Sequence, residues 1–332
     1  MPTDDGKFQR VKFAIEQREF FTDLTTAFRL FNGFYEGYPG LVIDRYGETL
    51  VIFDHGKPGE ADEIIQQIGR WAVEVLDGIT SVLLKQRQGA ERVKGILIEG
   101  NDVTQSIREF DVSYALNLRL NQDASFYLDT RNLRRWLLDH SEGLQVLNTF
   151  AYTGSLGVAA GMGNASMVIQ TDLNESFLEI AQTSWDINHL DPNRSKVITA
   201  DFFRVTGKMR REERLFDCVI LDPPYFSTTE AGRVDLQRDI SRLINKVRPL
   251  VAHQGWLILI NNALFLSGEA FMKELKSLCK SPYLSFERII PVPPDVTGTP
   301  NTILDTPPVN PAPFNHPTKI AILRVFRNDK QK

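Results

Sequence analysis

From Gln145 onward the chain alternates between two kinds of segment: QVLNTF, MVIQTD, KVITAD, FDCVILD and WLILINN are short apolar runs, and helix-length stretches separate them. Runs of that length and composition suit strands buried on both faces, and a strand followed by a helix returns to lie parallel to its predecessor. The pattern predicts an α/β fold on a mostly parallel, doubly wound sheet. Helical periodicity is clearest over 238–252, where Ile240, Leu243, Ile244, Val247, Leu250 and Val251 share a face. Lys319 to Phe326 reads as a closing strand. Before it, PVPPDVTGTPNTILDTPPVNPAPFNHP reads as a loop or arm over 291–318, unable to form regular helix or central strand because proline lacks an N–H and fixes φ.

The first third has a different grain. Residues 1 to about 30 form a charged, partly helical lead-in, and Gly40 to Phe53 reads as two strands around a turn at Tyr46-Gly47. Over 61–76, Ile64, Ile65, Ile68, Trp71, Ala72 and Val75 fall on one helical face, and Ser81 to Lys85 supplies a short buried strand. This predicts a smaller N-terminal α/β domain over 1–117, a candidate substrate-binding part, and a larger domain over 118–332. No internal repeats are visible.

Composition narrows the function classes. With 42% hydrophobic and 24% charged residues the chain is neither disordered nor collagenous. No run approaches the roughly 18 apolar residues of a spanning helix, and the start has no apolar signal region, so a cytoplasmic location is expected. Cys218 and Cys279 are too few for a disulfide framework, and Cys218, inside FDCVILD, is expected to be a buried inert thiol. The five histidines show no metal-ligand spacing, so no metal is expected. The net charge of −4 means that any affinity for nucleic acid must come from a local basic patch.

Ligands of open α/β sheets bind outside the carboxyl ends of the strands. After QVLNTF comes Ala151-Tyr-Thr-Gly154-Ser-Leu-Gly157, where Gly154 lets the backbone pass close to a ligand and a helix begins with free N–H groups. MVIQTD stops at Asp172, followed by Leu173, about 18 residues after Gly154, where an acid can accept both hydroxyls of a ribose. KVITAD ends at Asp201 before Phe202-Phe203, a carboxylate and an aromatic able to meet an adenine amino group and ring. Each acid alone reads first as a solvated loop residue or helix cap; together they describe a nucleoside pocket. A nicotinamide oxidoreductase should carry G-x-G-x-x-G, but T-G-S-L-G stands there, and Gly161-Met-Gly163 reads as a C-cap turn after the helix. A cofactor without a pyrophosphate is favoured.

The fourth strand end, Leu221-Asp222-Pro223-Pro224-Tyr225-Phe226, is the most specific signal. Two prolines after a buried strand fix an extended backbone and expose carbonyls without ladder partners. An amine there would donate to the Asp222 carboxylate and the Pro223 carbonyl while Tyr225 stacked on the attached base. The gain would be alignment of the nitrogen for in-line transfer.

D-P-P-Y resembles motif IV of amino-group methyltransferases, and Asn148 to Gly157, Asp172, Asp201 and Asp222 resemble motifs I to IV of class I S-adenosylmethionine (AdoMet) enzymes. Gly37-Tyr-Pro-Gly-Leu-Val-Ile-Asp-Arg-Tyr-Gly47 and Phe126-Tyr-Leu-Asp-Thr-Arg-Asn132 are similar to segments of the bacterial 23S rRNA large-subunit methyltransferases that include 5-methylcytosine and 7-methylguanine enzymes. The resemblance spans roughly 25–325. It implies a Rossmann-like domain on a seven-stranded, mostly parallel sheet, AdoMet as cofactor, and ribosomal RNA as substrate, with Phe126, Asp129 and Arg131 as cofactor contacts. Asn148, Phe150, Tyr152 and Gly154 would lie near the methionine part of the cofactor.

The chain departs from the cytosine-C5 members twice: it begins too late for their N-terminal PUA RNA-binding domain, and Asn261-Asn262 stands where their nucleophilic Cys would fall. Cytosine-C5 chemistry needs a thiolate adduct, so methylation of a guanine or adenine nitrogen is expected instead. A small-molecule or protein methyltransferase remains the alternative, with a nicotinamide oxidoreductase or a non-catalytic RNA-binding protein behind it. Candidate RNA contacts are Lys85, Arg87, Arg92 and Lys94; Arg131, Arg134 and Arg135; and Lys208, Arg210 and Arg211. A folded RNA target would have to unstack its base to reach Tyr225, and the Pro-rich arm would be a clamp or a structural lid.

Overall fold

The computed structural model describes residues 4–18, 25–57, 59, 62–87 and 94–327. The chain divides into two compact units, Met1–Asp129 with Pro293–Pro307, and Thr130–Val292 with Pro308–Lys332. The division falls after Asp129, whereas the sequence pattern suggested 117. Long-range bonds explain the difference: Lys85 Nζ donates to the carbonyls of Asn121 and Asp123, and Tyr46 donates to the carbonyl of Phe126.

In the first unit, β1 (Ala27–Asn32), β2 (Leu41–Tyr46), β3 (Thr49–Asp54), β4 (Ser81–Gln86) and β5 (Ile96–Glu99) form a five-stranded sheet in that order, antiparallel except for β3 with β4. Helix α1 (Asp4–Glu16) precedes β1 and the one-turn α2 (Gly33–Glu36) follows it. Helix α3 (Asp62–Val75) makes the crossover between the two parallel strands. Phe8, Val11 and Ile15 join Ile64, Ile65, Ile68 and Ala72 in one apolar core against the sheet. Val75, expected on that face, is exposed at the helix end. A two-stranded hairpin, β6 (Ser106–Glu109) and β7 (Val112–Ala115), turns through Phe110 and Asp111, both at positive φ.

Part of the Pro-rich stretch belongs to this unit. Arg29 N donates to Asp295 Oδ2, Asn32 Nδ2 to the carbonyl of Val296, and the Leu304 and Asp305 amides to the carbonyl of Tyr35. Pro294–Thr297 forms one helical turn, contrary to the irregular arm expected. Pro294 stands at its start, where the missing N–H costs nothing.

The second unit opens with α4 (Arg131–His140) and is built on a seven-stranded sheet. In chain order its strands are β8 (Gln145–Thr149), β9 (Met167–Asp172), β10 (Ser195–Thr199), β11 (Phe216–Leu221), β14 (Val251–Asn261), β15 (Leu284–Ile290) and β16 (Lys319–Val325). A small hairpin, β12 (Phe226–Thr229) and β13 (Gly232–Asp235), lies between β11 and β14 in sequence. The spatial order is β10-β9-β8-β11-β14-β16-β15, parallel except that β16 runs antiparallel to both neighbours. The chain therefore moves one way from β8 to β10 and resumes on the other side with β11, so the topological switch point lies between the ends of β8 and β11. The ladder sets Thr149 opposite both Thr171 and Leu221, so those ends are level.

Four helices follow strands: α5 (Ser155–Met162), α6 (Glu175–Ile187), α7 (Phe202–Arg211) and α9 (Gly268–Leu278). The periodic segment 238–252 is helical only as α8 (Ile240–Val247). Pro249 sits in a 3-10 turn at Arg248–Leu250, and Val251 already begins β14; proline cannot donate into a continuing helix. Ile240, Leu243, Ile244 and Val247 pack with Val219, Leu221, Leu257 and Leu259 in the core. Cutting any of these leucines or isoleucines to alanine should cost about 2–5 kcal/mol. Of the expected C-cap turn Gly161-Met-Gly163, Gly163 is the C-cap of α5, while Gly161 lies in the last turn, where a Cβ would meet the Trp185 ring at 2.4 Å; the left-handed residue after the helix is Asn164.

Candidate active site

At the end of β8 the backbone does something costly. Phe150, Tyr152 and Gly154 all adopt positive φ, at 54°, 52° and 76°. For the two aromatic residues that conformation costs about 1–2 kcal/mol each, so the surroundings must impose it. The amide of Ala151 donates to the carbonyl of Thr171, that of Tyr152 to Asp172 Oδ2, and that of Gly154 to the carbonyl of Ala151. The Phe150 ring stacks on Phe202 at 4.5 Å and Tyr152 meets Phe177 edge-on. Gly154 is needed for packing as well as for φ, since a Cβ would come within 2.3 Å of Ala181 Cβ in α6. Sequence reasoning found the turn but not its strain.

Beneath the turn, Asn148 and Gln170 are fully buried and share one hydrogen bond of 3.3 Å. Asn148 Oδ1 and Gln170 Nε2 have no protein partner, leaving an acceptor and a donor unpaired. Each would cost about 1–3 kcal/mol if nothing met it.

Asp172 accepts a backbone N–H on each oxygen, Tyr152 N at 2.9 Å and Asn174 N at 3.0 Å. These bonds fix the carboxylate and leave a lone pair on each oxygen. Leu173 beside it is 62% exposed, an unusual placement for leucine at a strand end. Asp201 caps α7 through Oδ1, which accepts from Phe203 N and Arg204 N, while Oδ2 accepts the Thr229 hydroxyl at 2.6 Å. The cap was legible in the sequence; the tie to β12 was not. Phe202 lies in the core with Phe150 against it, and Leu173 is the apolar side chain open at these ends.

Asp222 follows β11 directly, half-buried; Pro223 is buried, and Pro224 and Tyr225 are exposed. Tyr225 is nonetheless held: its hydroxyl donates to Gln237 Oε1 at 2.8 Å and its carbonyl accepts from Leu236 N at 3.0 Å. Behind that segment, Asn261 Nδ2 donates to the carbonyl of Leu236 and Asn261 Oδ1 accepts from Ala263 N. Buried Lys319 then donates to the carbonyls of Ala263 at 2.9 Å and Pro317 at 2.6 Å. Desolvation lowers this ammonium to about 8. None of Gln237, Leu236 or Lys319 stood out in the sequence, because their partners are distant along the chain. Cys218 is fully buried on β11, and burial, then Asp217, raises its thiol pKa.

The remaining expected contacts fall in separate places. Phe126 is buried in the first unit, its ring 5.0 Å from Tyr114. Asp129 ends that unit in a 3-10 turn, Leu128–Thr130, and Arg131 opens α4, buried, in the second. Several candidate RNA cations are structural instead. Lys85 is buried with its two carbonyl acceptors, Arg87 pairs with Asp123 at 2.9 Å, and Arg134 is buried against Thr130 Oγ1. Arg92 lies outside the described residues. Arg135 and Lys208 are exposed and paired with Asp139 and Glu212, and Arg210 and Arg211 are exposed.

This arrangement agrees with a family match. The model of the S-adenosylmethionine-dependent methyltransferases covers residues 64–303, more than half of the sequence. The chain belongs to that family. Among curated relatives, it is 29% identical over 277 residues to ribosomal RNA large subunit methyltransferase I of Aeromonas hydrophila, covering 81% of this chain and 70% of that protein. It is 28% identical over 248 residues to ribosomal RNA large subunit methyltransferase K/L of Pseudoalteromonas translucida, covering 71% of this chain but 34% of that one. Among solved structures, SMU.776, a protein assigned as a methyltransferase and crystallised in complex with SAH, superposes with a TM-score of 0.84 at 22% identity, covering 98% of this chain and 82% of that one. The seven-stranded sheet is thus the class I methyltransferase sheet, and the enzyme uses AdoMet.

The strand ends of the second unit suit that cofactor. Asp172 and Asp201 are acceptors for hydroxyl and amino groups, the unpaired Asn148 Oδ1 and Gln170 Nε2 lie under the strained turn, and no G-x-G-x-x-G cradle is present. Among the described residues no cluster of His, Cys, Asp or Glu could hold a metal, and no helix is long and apolar enough to cross a membrane.

Proposed function

We propose that this methyltransferase transfers the methyl group to a nitrogen of guanine or adenine in ribosomal RNA, and acts in the cytoplasm. The observation that carries this reading is Tyr225: an exposed aromatic directly after Asp222-Pro223-Pro224, pinned at its hydroxyl and its carbonyl. A pinned aromatic loses little further entropy on stacking against a flat base. The Asp222 carboxylate and the Pro223 carbonyl then accept hydrogen bonds from the target nitrogen and point its lone pair along the transfer line. The cofactor supplies an electrophilic methyl on a sulfonium. The chain's own contribution is orientation and closeness, which can be worth several orders of magnitude in rate.

On the cofactor side, Asp172 is assigned to the ribose, Asp201, Phe202 and Leu173 to the adenine end, and Asn148, Phe150, Tyr152 and Gly154 to the methionine end. Phe126, Asp129 and Arg131 are further contacts implied by the family resemblance. Cytosine-C5 methylation is disfavoured because Asn261 is a buried amide bonded to Leu236 and Ala263, and Cys218 is sealed in the sheet. Support for RNA comes from the relatives, whose names specify large-subunit ribosomal RNA.

The test is transfer of labelled methyl from AdoMet to ribosomal RNA, intact ribosomal subunits, DNA and protein extract from cells lacking the enzyme. Label in RNA that digestion assigns to an N-methylated nucleoside is the expected result. Label confined to protein or small molecules would overturn the substrate, and label in 5-methylcytosine would overturn the nitrogen chemistry.

A further inference from the structure

The β12–β13 hairpin, α7 and α8 surround a cavity of about 370 Å³ lined by Phe203, Arg204, Ala231, Arg242 and Lys246. Three of those five residues are cations, in a chain whose net charge is −4. Arg242 and Lys246 are one turn apart on α8, about 6 Å along the axis, which is close to the separation of neighbouring phosphates on a nucleic acid strand. Arg242 lies over the Phe203 ring at 5.4 Å and donates to the carbonyl of Arg233; Arg233 in turn lies over Phe226, the residue after Tyr225. A continuous set of contacts therefore runs from the cavity to Phe226, the chain neighbour of the exposed aromatic assigned to the target base. On the other side α7 continues the cations with Lys208 and Arg211, spaced at helical turns from Arg204.

The acids nearby do not neutralise this surface. Arg204 pairs with Glu230 at 3.2 Å, but the side chains are 68% and 92% exposed, and an ion pair so open to solvent holds its partners only weakly. Asp239 stands 3.8 Å from Arg242 and Asp235 pairs with Arg233, while Lys246 has no ion-pair partner among the described residues. A phosphodiester could displace the Glu230 contact at little cost and would meet three donors at once.

We infer that this cavity is a phosphate-binding subsite for the strand flanking the target base, and that Arg204, Arg242 and Lys246 seat its backbone while Tyr225 takes the base. The inference rests on the RNA substrate proposed above. It differs from the charge clusters visible in sequence, because Arg204, Arg242 and Lys246 are scattered along the chain and meet only through the packing of α7, α8 and the hairpin.

The test uses the full chain and a fluorescent single-stranded oligouridine, with anisotropy measured over a salt series, alongside the AdoMet dissociation constant. Neutralising three phosphate contacts should lower the slope of log affinity against log salt by about 2, at roughly 0.7 per contact on a single strand. The triple variant R204Q/R242Q/K246Q is expected to show that loss, at least tenfold weaker oligouridine binding near physiological salt, and unchanged AdoMet affinity. Because the triple variant changes much surface, Lys246→Gln alone provides a milder check, with a slope change of about 0.7, which Lys246→Arg should restore. Variants with an unchanged slope, beside a wild type that binds oligouridine, would overturn the subsite and leave the RNA substrate standing. A wild type that prefers polyglutamate to oligouridine would overturn both.

Discussion

Replacing Asp172 by asparagine keeps the shape of the side chain and tests two roles at once. In the native turn, Oδ1 accepts from Asn174 N and Oδ2 from Tyr152 N, so both oxygens face donors. In Asp172→Asn one of those positions becomes an NH2 group opposed to an N–H. If the amide keeps its oxygen toward Asn174, Tyr152 loses the acceptor that helps hold its φ of 52°. Loss of one charge-assisted bond, with the facing donor left unsatisfied, should cost about 1.5–3 kcal/mol of folding stability. The ribose role adds a separate loss in the complex: the replacement NH2 cannot accept a hydroxyl, and the remaining oxygen carries no full charge. One charged hydrogen bond of about 2 kcal/mol corresponds to roughly 30-fold in affinity. Calorimetric titration with AdoMet and urea denaturation of the apo-protein measure the two effects independently. Tyr152→Gly separates them further, because it removes the left-handed strain, so Asp172→Asn should cost less stability in that background while still weakening AdoMet. An AdoMet dissociation constant within threefold of wild type in Asp172→Asn would refute the ribose assignment, whatever happened to stability.

Other consequences are more direct. Gly154→Ala forces a Cβ to within 2.3 Å of Ala181 and 2.8 Å of Gln170 Oε1 at φ +76°, so it should lower stability by about 2–4 kcal/mol in urea denaturation; a change below 0.5 kcal/mol would mean that α6 yields freely. Asp222→Ala should lower single-turnover methyl transfer by at least a hundredfold while AdoMet binding changes little, and full activity would remove it from the mechanism. Lys319 has its pKa lowered from 10.5 to about 8 by desolvation, so between those values the unfolded chain binds more protons and stability rises with pH. From pH 8 to 10 that contribution should be about 2 kcal/mol. Lys319→Met should lack this rise, and identical pH slopes in variant and wild type would show that the buried ammonium does not titrate there.

What could be read from the chain and what could not divides along sequence separation. The strands from β8 to β11, the turn after β8 and the Asp201 cap are encoded within a few residues, by β-branched runs, a glycine and an acid before a helix. Local pattern misled where a distant partner decides. Lys85 and Arg87 look like surface charge, yet they satisfy two carbonyls and an acid far along the chain, within their own unit. Pro294 looked like a helix breaker and instead starts a turn of helix, because Asp295 and Val296 are bonded to β1 through Arg29 and Asn32. The basic cavity was invisible for the same reason: its cations come from α7 and α8, with a whole strand and hairpin between them in sequence.

The two sides of the site rest on different supports. The turn that carries Phe150, Tyr152 and Gly154 is held through Asp172 and Thr171 on β9, and by Phe202 at the start of α7. The proposed target side is held through Leu236, after β13, and through Asn261, Ala263 and Lys319 at the end of β14 and the start of β16, across the switch point. Among the described residues, only the Thr229 bond to Asp201 crosses from the hairpin beside Tyr225 to the acids proposed for the cofactor side, Asp172 and Asp201. Because energetic coupling is strongest between residues that share partners, changes on the β9 side should appear mainly in AdoMet affinity. Changes at Asn261 or Lys319 should appear mainly in turnover, through the placement of Tyr225. Thr229→Val is then the substitution that should disturb both, since it leaves Asp201 with its cap bonds but frees the hairpin that begins one residue after Tyr225, the aromatic proposed to take the target base.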